Sequence, residues 1–178
     1  MRRAMIGEPI LGSSLTMVEA AANNEEIDPF DFGTDWWAIE VADEFKVRQN
    51  WSDRHDLFLF YAGTWLVAGA RLGFWRRPHP HRDSDGRARY YLVLSFGVNV
   101  PFQGHRDPNS MPLRSYASVI LDYVELRARA RADCVGLALH VRVANERAQR
   151  LYRRRGFVDE ADDFIEDGRA TIEMRKLF

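Results

Sequence analysis

The sequence predicts an α/β fold in which a mixed sheet carries helices on its faces, and three observations lead there. Apolar runs with the period of strands alternate with segments of helical period. Their order is strand, helix, three strands, helix, strand, helix and two strands, which calls for a mixed sheet with helices packed on its faces. Finally, 178 residues with 46% hydrophobic content suffice for one sizeable core. Residues 1–13 read as a flexible leader and residues 14–178 as a single domain.

SLTMVEA (Ser14 to Ala20) is the first strand candidate, with Leu15 and Met17 alternating with polar neighbours. A helix is expected from about Asp35 to Gln49, with Thr34 or Asp35 as its cap. HDLFLFYAGTWLVAGARLGFW then changes period, giving a run from Leu57 to Tyr61, an Ala62-Gly63 turn and a second run from Trp65 to Trp75, the pattern of a hairpin. RRPHPHRDSDGR (Arg76 to Arg87) reads as a loop, and its His79 and His81 have no further ligand at metal spacing, so no metal is expected. The longest apolar run, ARYYLVLSFGVNV (Ala88 to Val100), is interrupted at Gly97, where a bulge or splay fits.

The turn-rich stretch QGHRDPNSMP precedes a helix expected from about Pro112 to Arg131, because Ala117, Ile120, Leu121, Val124 and Ala128 share one face. VGLALHVRV (Val135 to Val143) alternates as a strand, after which Asn145 caps a helix that Gly156 ends. Residues 157 to 160 begin another strand, Gly168 marks a turn, and ATIEMRKLF closes the chain as a strand.

The formal charge of −1 gives no global field toward DNA or an anionic membrane, and no window approaches the roughly 20 apolar residues of a membrane span. One cysteine, Cys134, excludes an intramolecular disulfide and fits a cytoplasmic setting. Of the 25 basic residues only Lys46 and Lys176 are lysines, a bias that a GC-rich genome explains as readily as selection for anion binding.

The spacing of Leu137, Leu139, Val141, Asn145, Ala148, Leu151, Tyr152, Gly156 and Phe157 closely resembles the C-terminal motif of GNAT-family N-acetyltransferases. The resemblance covers residues 56–178 well and the N-terminal third loosely. It implies a mostly antiparallel mixed sheet, splayed in the middle to admit pantetheine, and acetyl-CoA as co-substrate with a primary amine, on a small molecule or peptide, as acceptor. It also implies that the backbone of Phe96, Gly97, Val98, Asn99 and Val100 meets the pantetheine amides. The family's pyrophosphate turn corresponds to Gln103, Gly104, His105 and Arg106, followed by Asp107 and Pro108. There this chain departs from the family, since Arg106 and Pro108 stand where glycine or alanine is usual and Pro108 has no N–H. Either the loop is lengthened, so that the helix start near Ser110 to Ser115 meets the phosphates with Arg106 and Arg114, or CoA binding is weakened or lost.

Acetyl transfer to an amine needs a base for the amine and an acid for the departing thiolate. Periodicity alone makes Tyr152 a packing residue; the resemblance makes it the acid. Asn145 is first a helix cap, and by resemblance also lies near pantetheine. The resemblance places a Glu base in some members where His140 stands here, so His140 is a candidate base or else a satisfied, half-buried histidine; if it is not the base, a water chain or an N-terminal carboxylate must be. Glu25, Glu26, Asp28, Asp31 and Asp35 form either an acidic wall for a cationic acceptor or a solvated loop. Two further functions stay open: a non-catalytic acyl-CoA-binding or protein-interaction domain, and a toxin-type enzyme acting on aminoacyl-tRNA through Arg127, Arg129, Arg131 and Arg153 to Arg155. A homodimer is compatible with all of these.

Overall fold

The computed structural model describes residues 7–19, 30–46, 55–78, 87–160, 164–166 and 168–178. Along the chain run β1 (Glu8–Pro9), β2 (Leu15–Glu19), α1 (Trp36–Lys46), β3 (His55–Ala62), β4 (Trp65–Pro78) and β5 (Arg87–Val98). After a 3-10 turn at Val100–Phe102 follow α2 (Tyr116–Arg129), β6 (Cys134–Arg142), α3 (Glu146–Arg154), β7 (Val158–Asp159), β8 (Phe164–Glu166) and β9 (Arg169–Leu177). The fold is the expected mixed α/β one. Two compact units emerge, residues 1–71 with 95–123 and residues 72–94 with 124–178, so β4, β5 and α2 each contribute to both.

In the first unit β1, β2 and β3 pair antiparallel, with Glu8 opposite Met17 and Leu15 opposite Ala62. The run LFLFY in β3 is continuous rather than alternating because both faces are covered. Leu57, Leu59 and Tyr61 pack with Phe30, Phe32 and Leu66, joined by Ala38, Val41 and Ala42 of α1. Phe58 and Phe60, on the other face, meet Tyr123 of α2 edge-on at 6.1 and 5.9 Å between ring centres. Each fully buried phenylalanine contributes about 1.5–3 kcal/mol over an exposed one. The turn into β4 has Gly63 at φ 59°, left-handed backbone that glycine adopts without steric cost.

In the second unit β5 and β6 run parallel from Arg89 opposite Cys134 to Val93 opposite Leu139, and there the pairing ends. β6 continues antiparallel with β9 as far as Arg142 opposite Thr171. β9 also holds β7 and β8, the latter a short strand that the acidic sequence around it concealed. Tyr91 packs on Phe74 at 5.1 Å, and Arg89 and Arg131 stack on that ring at 3.9 and 4.6 Å. Lys176 is half-buried: its ammonium bonds Glu125, and its chain passes 3.6 Å from where a Cβ at Gly156 would sit.

The second helix starts four residues later than the sequence suggested. Arg114 explains this, since its N–H bonds Ser110 Oγ at 2.8 Å and its carbonyl takes the Asp107 N–H at 2.8 Å, which holds the preceding residues in a loop. At Gly97 the room that a side chain would need is taken by the Phe32 ring, 2.5 Å from the position of an added Cβ. Gly97→Ala should therefore cost about 1–3 kcal/mol in urea unfolding. The cost should largely disappear in a Phe32→Ala background.

Candidate functional site

In the first unit the end of β5 and the residues after it form a tightly bonded corner. Asn99 is buried; its side chain donates to Leu66 O at 2.9 Å and accepts from the Asp31 N–H at 2.9 Å, and its own N–H bonds Val67 O at 2.8 Å. The Val100 N–H bonds Asp31 O at 2.7 Å. Two of the backbone N–H groups expected to meet pantetheine thus bond within the protein, and a Cβ added at Gly97 would meet the Phe32 ring. Gln103 bends back so that its amide donates to Phe32 O at 2.7 Å and Val98 O at 2.9 Å. Gly104 follows at φ 77° and is exposed, as are His105 and Arg106.

Residues 106–115 close on themselves through an antiparallel bridge between Arg106 and Ser115. Ser110 is fully buried, its hydroxyl donating to Asp107 O at 2.9 Å. Asp107 was expected to bring negative charge to a phosphate site, yet it is fully buried. Its carboxylate accepts from the Ser13 hydroxyl, from the Ser14 N–H at 3.0 Å and from the Asn109 N–H at 3.0 Å. Burial alone would raise this carboxyl, but the bonds from Ser13, Ser14 and Asn109 outweigh it and hold the group below the usual carboxylate range. The charge serves to fasten the loop to the turn before β2. Beyond the loop, Ser115 caps α2, its hydroxyl accepting from the Ser118 N–H at 3.3 Å, while the Tyr116 N–H goes to His105 O. Arg114 forms an ion pair with Asp122, so its guanidinium is already partly committed.

Of the acidic residues before α1, Glu25, Glu26 and Asp28 lie outside the described residues, as do His79 and His81 in the loop after β4. Asp31 is exposed and its carboxylate accepts from the Gly33 N–H at 3.1 Å, a local turn.

In the second unit Asn145 is the cap that the sequence implied, its Oδ1 accepting from the Ala148 N–H at 3.1 Å. Gln149, buried and not singled out by sequence, braces the same corner by donating to Arg142 O at 3.2 Å and Val143 O at 2.7 Å. α3 ends at Gly156, φ 85°, and Tyr152 is buried with its ring 5.7 Å from that of Phe157. Burial pushes the Tyr152 phenol well above its ordinary value. It keeps its proton throughout the neutral range. A phenol so raised is a weaker acid than an exposed one and stays a neutral hydrogen-bond donor.

His140 is half-buried on β6, with Nδ1 3.0 Å from Glu166 Oε1 and Nε2 3.8 Å from Glu173 Oε2. Phe164 meets its ring edge-on at 4.9 Å. Neither carboxylate was singled out in the sequence, although Glu173 is the cross-strand partner of His140 once the register is known. Arg129 pairs with Glu125, Arg153 with Asp159, and Arg131 lies over Phe74 and Tyr91, which commits these three residues of the expected basic face. Among the described residues no helix is long and apolar enough to cross a membrane.

Asp107→Asn should remove about 1–3 kcal/mol at pH 7, because an amide cannot accept all three donors. A carboxyl held below its unfolded value, about 3.9, stabilises the fold above that pH and loses the contribution as pH falls through the lower folded value. The difference between wild type and variant, read from urea midpoints, should therefore shrink below about pH 4.

Residues 110–157 match the model of the Acetyltransferase (GNAT) family. No curated protein matches the chain in sequence. Among solved structures, Arabidopsis thaliana NAA60 in complex with a bisubstrate analogue shares the fold at a TM-score of 0.60 and 14% identity, over 92% of this chain and 99% of that one. Arabidopsis thaliana Naa50, in complex with the bisubstrate analogue CoA-Ac-MVNAL, gives 0.54 at 18% identity, over 93% and 99%. AtaT complexed with acetyl-methionyl-tRNAfMet gives 0.60 at 14% identity, over 89% and 93%. The fold is that of the GNAT acetyltransferases, as the motif from Leu137 to Phe157 had implied.

Proposed function

We propose that this GNAT-fold chain is a cytoplasmic N-acetyltransferase that moves an acetyl group from acetyl-CoA to a primary amine on a small molecule or a peptide. The observation that carries the reading is the segment 110–157, which matches the acetyltransferase family model and contains the start of α2, the capped α3 and Tyr152. Solved structures of the same fold, named for their acetyl-CoA and bisubstrate complexes, support the co-substrate.

Each unit has a part in this reading. In the first, the capped start of α2 with Gly104, His105 and Arg106 would hold the pyrophosphate, since exposed amides and a positive helix end bind anions without lysines. The self-closed loop 106–115 supports the lengthened form of the turn over a ruined one, because Asp107 and Pro108 belong to the closure. In the second, Tyr152 donates to the sulfur as the thioester C–S bond breaks, and His140 takes the proton that the amine loses. Asn145 remains the cap. The acceptor reading toward small amines and peptides is favoured over aminoacyl-tRNA by the pairing of Arg129 and Arg153 with carboxylates.

The alternative is an acyl-CoA-binding domain without turnover, favoured by the internal use of Gln103 and of the Asn99 and Val100 N–H groups. Calorimetry with acetyl-CoA followed by thiol release over an amine panel separates the two. The enzyme reading expects saturable binding and release with at least one amine; binding without release across alkylamines, polyamines and peptide N-termini favours the binding domain. Failure of acetyl-CoA to bind removes both. Tyr152→Phe should lower kcat about a hundredfold or more while leaving the acetyl-CoA Kd within about threefold. Unchanged kcat would take Tyr152 out of the reaction.

A further inference from the structure

We infer that Ser13 is a positioning residue for the co-substrate: its hydroxyl acts through Asp107 to hold Arg106 and the cap of α2 in place; this rests on the reading of that corner as the pyrophosphate site. Ser13 lies in the turn before β2, and its oxygen works in two directions. It accepts from the Leu15 N–H at 3.0 Å and donates to the Asp107 carboxylate. Leu15 is buried at the start of β2, in register with Ala62 of β3. One hydroxyl thus joins the edge of the sheet to a buried charge more than ninety positions along the chain. The Ser14 N–H adds a second bond from the same turn at 3.0 Å. A buried carboxylate that loses a donor keeps its desolvation cost, so Asp107 is held where this turn meets it.

Asp107 in turn fixes the loop. Its N–H donates to Arg114 O at 2.8 Å, and its carbonyl accepts the Ser110 hydroxyl at 2.9 Å and the Ser110 N–H at 3.2 Å. Its carboxylate also accepts the Asn109 N–H at 3.0 Å. Arg106, one residue before, bridges Ser115, and Ser115 caps α2 through the Ser118 N–H. Hydrogen bonds therefore run without a break from the β1–β2 turn to the helix start. Removing the Ser13 hydroxyl leaves Asp107 short of a donor and loosens this chain, while every group assigned to the phosphates stays unaltered.

Ser13→Ala is the direct test, read on the full chain by hydrogen exchange and by calorimetry with acetyl-CoA. The amides of Asn109, Ser110 and Arg114 should exchange about tenfold faster, and the acetyl-CoA Kd should rise about tenfold, the size of one hydrogen bond to a charged group. Ser13→Thr keeps the hydroxyl and should return both readings toward wild type. Thr16→Ala weakens the same hairpin through strand propensity, since Thr16 stands in β2 opposite Pro9 and Tyr61. It should lower the urea midpoint and leave the loop exchange and the Kd as in wild type. Loop exchange or a Kd that Ser13→Ala leaves unchanged overturns the inference, as does an equal rise of Kd in Thr16→Ala. Failure of the underlying reading is separately visible: wild-type protein that does not bind acetyl-CoA removes the site itself, before any variant is compared.

Discussion

The parallel pairing of β5 with β6 is the constraint on which most of this molecule depends. Antiparallel neighbours are joined by a few residues, as at Gly63 between β3 and β4, but a parallel pair obliges the chain to travel back to the same end of the sheet. Everything from Asn99 to Asp133 serves that return. The chain uses the journey to place a 3-10 turn, a self-closed loop and a long helix. β6 then accepts β9 on its other side, and among the pairings described His140 to Arg142 are paired with β9 alone.

Polar chemistry in both units follows one rule: charge that leaves water is met by several fixed donors. Asp107 has three and Glu125 has two, and each ties together segments that local sequence could not join. Such groups are costly when half-satisfied and specific when complete. The corner at Asn99 obeys the same rule with neutral groups.

Legibility in the sequence tracks the distance between partners. The cap at Asn145 reaches three residues along, Gly156 ends its helix locally, and the β3–β4 turn is two residues long, so all were readable from spacing. Asp107 meets Ser13 and Ser14 from more than ninety positions away, and in sequence it looked like an unwelcome charge beside phosphate. Gly97 was recognised as a place of close approach, but only the fold identifies Phe32 as the group that approaches. Glu166 was hidden twice over, because FIE lies in an acidic stretch that did not read as a strand and because its partner His140 sits 26 residues earlier. The late start of α2 has the same origin: apolar periodicity extends helices outward, whereas bonds of Ser110 and Asp107 to Arg114 stop this one.

The ammonium of Lys176, one of only two lysines in 178 residues, is bound to Glu125. For a protein read as acetylating amines this has a practical meaning. Its own surface competes poorly with the acceptor, so self-modification and chemical acetylation by a reactive thioester have few places to accumulate, and mass spectra of acceptor peptides carry little background from the catalyst. A composition that genome bias can explain thus yields a chain nearly transparent to its own reagent.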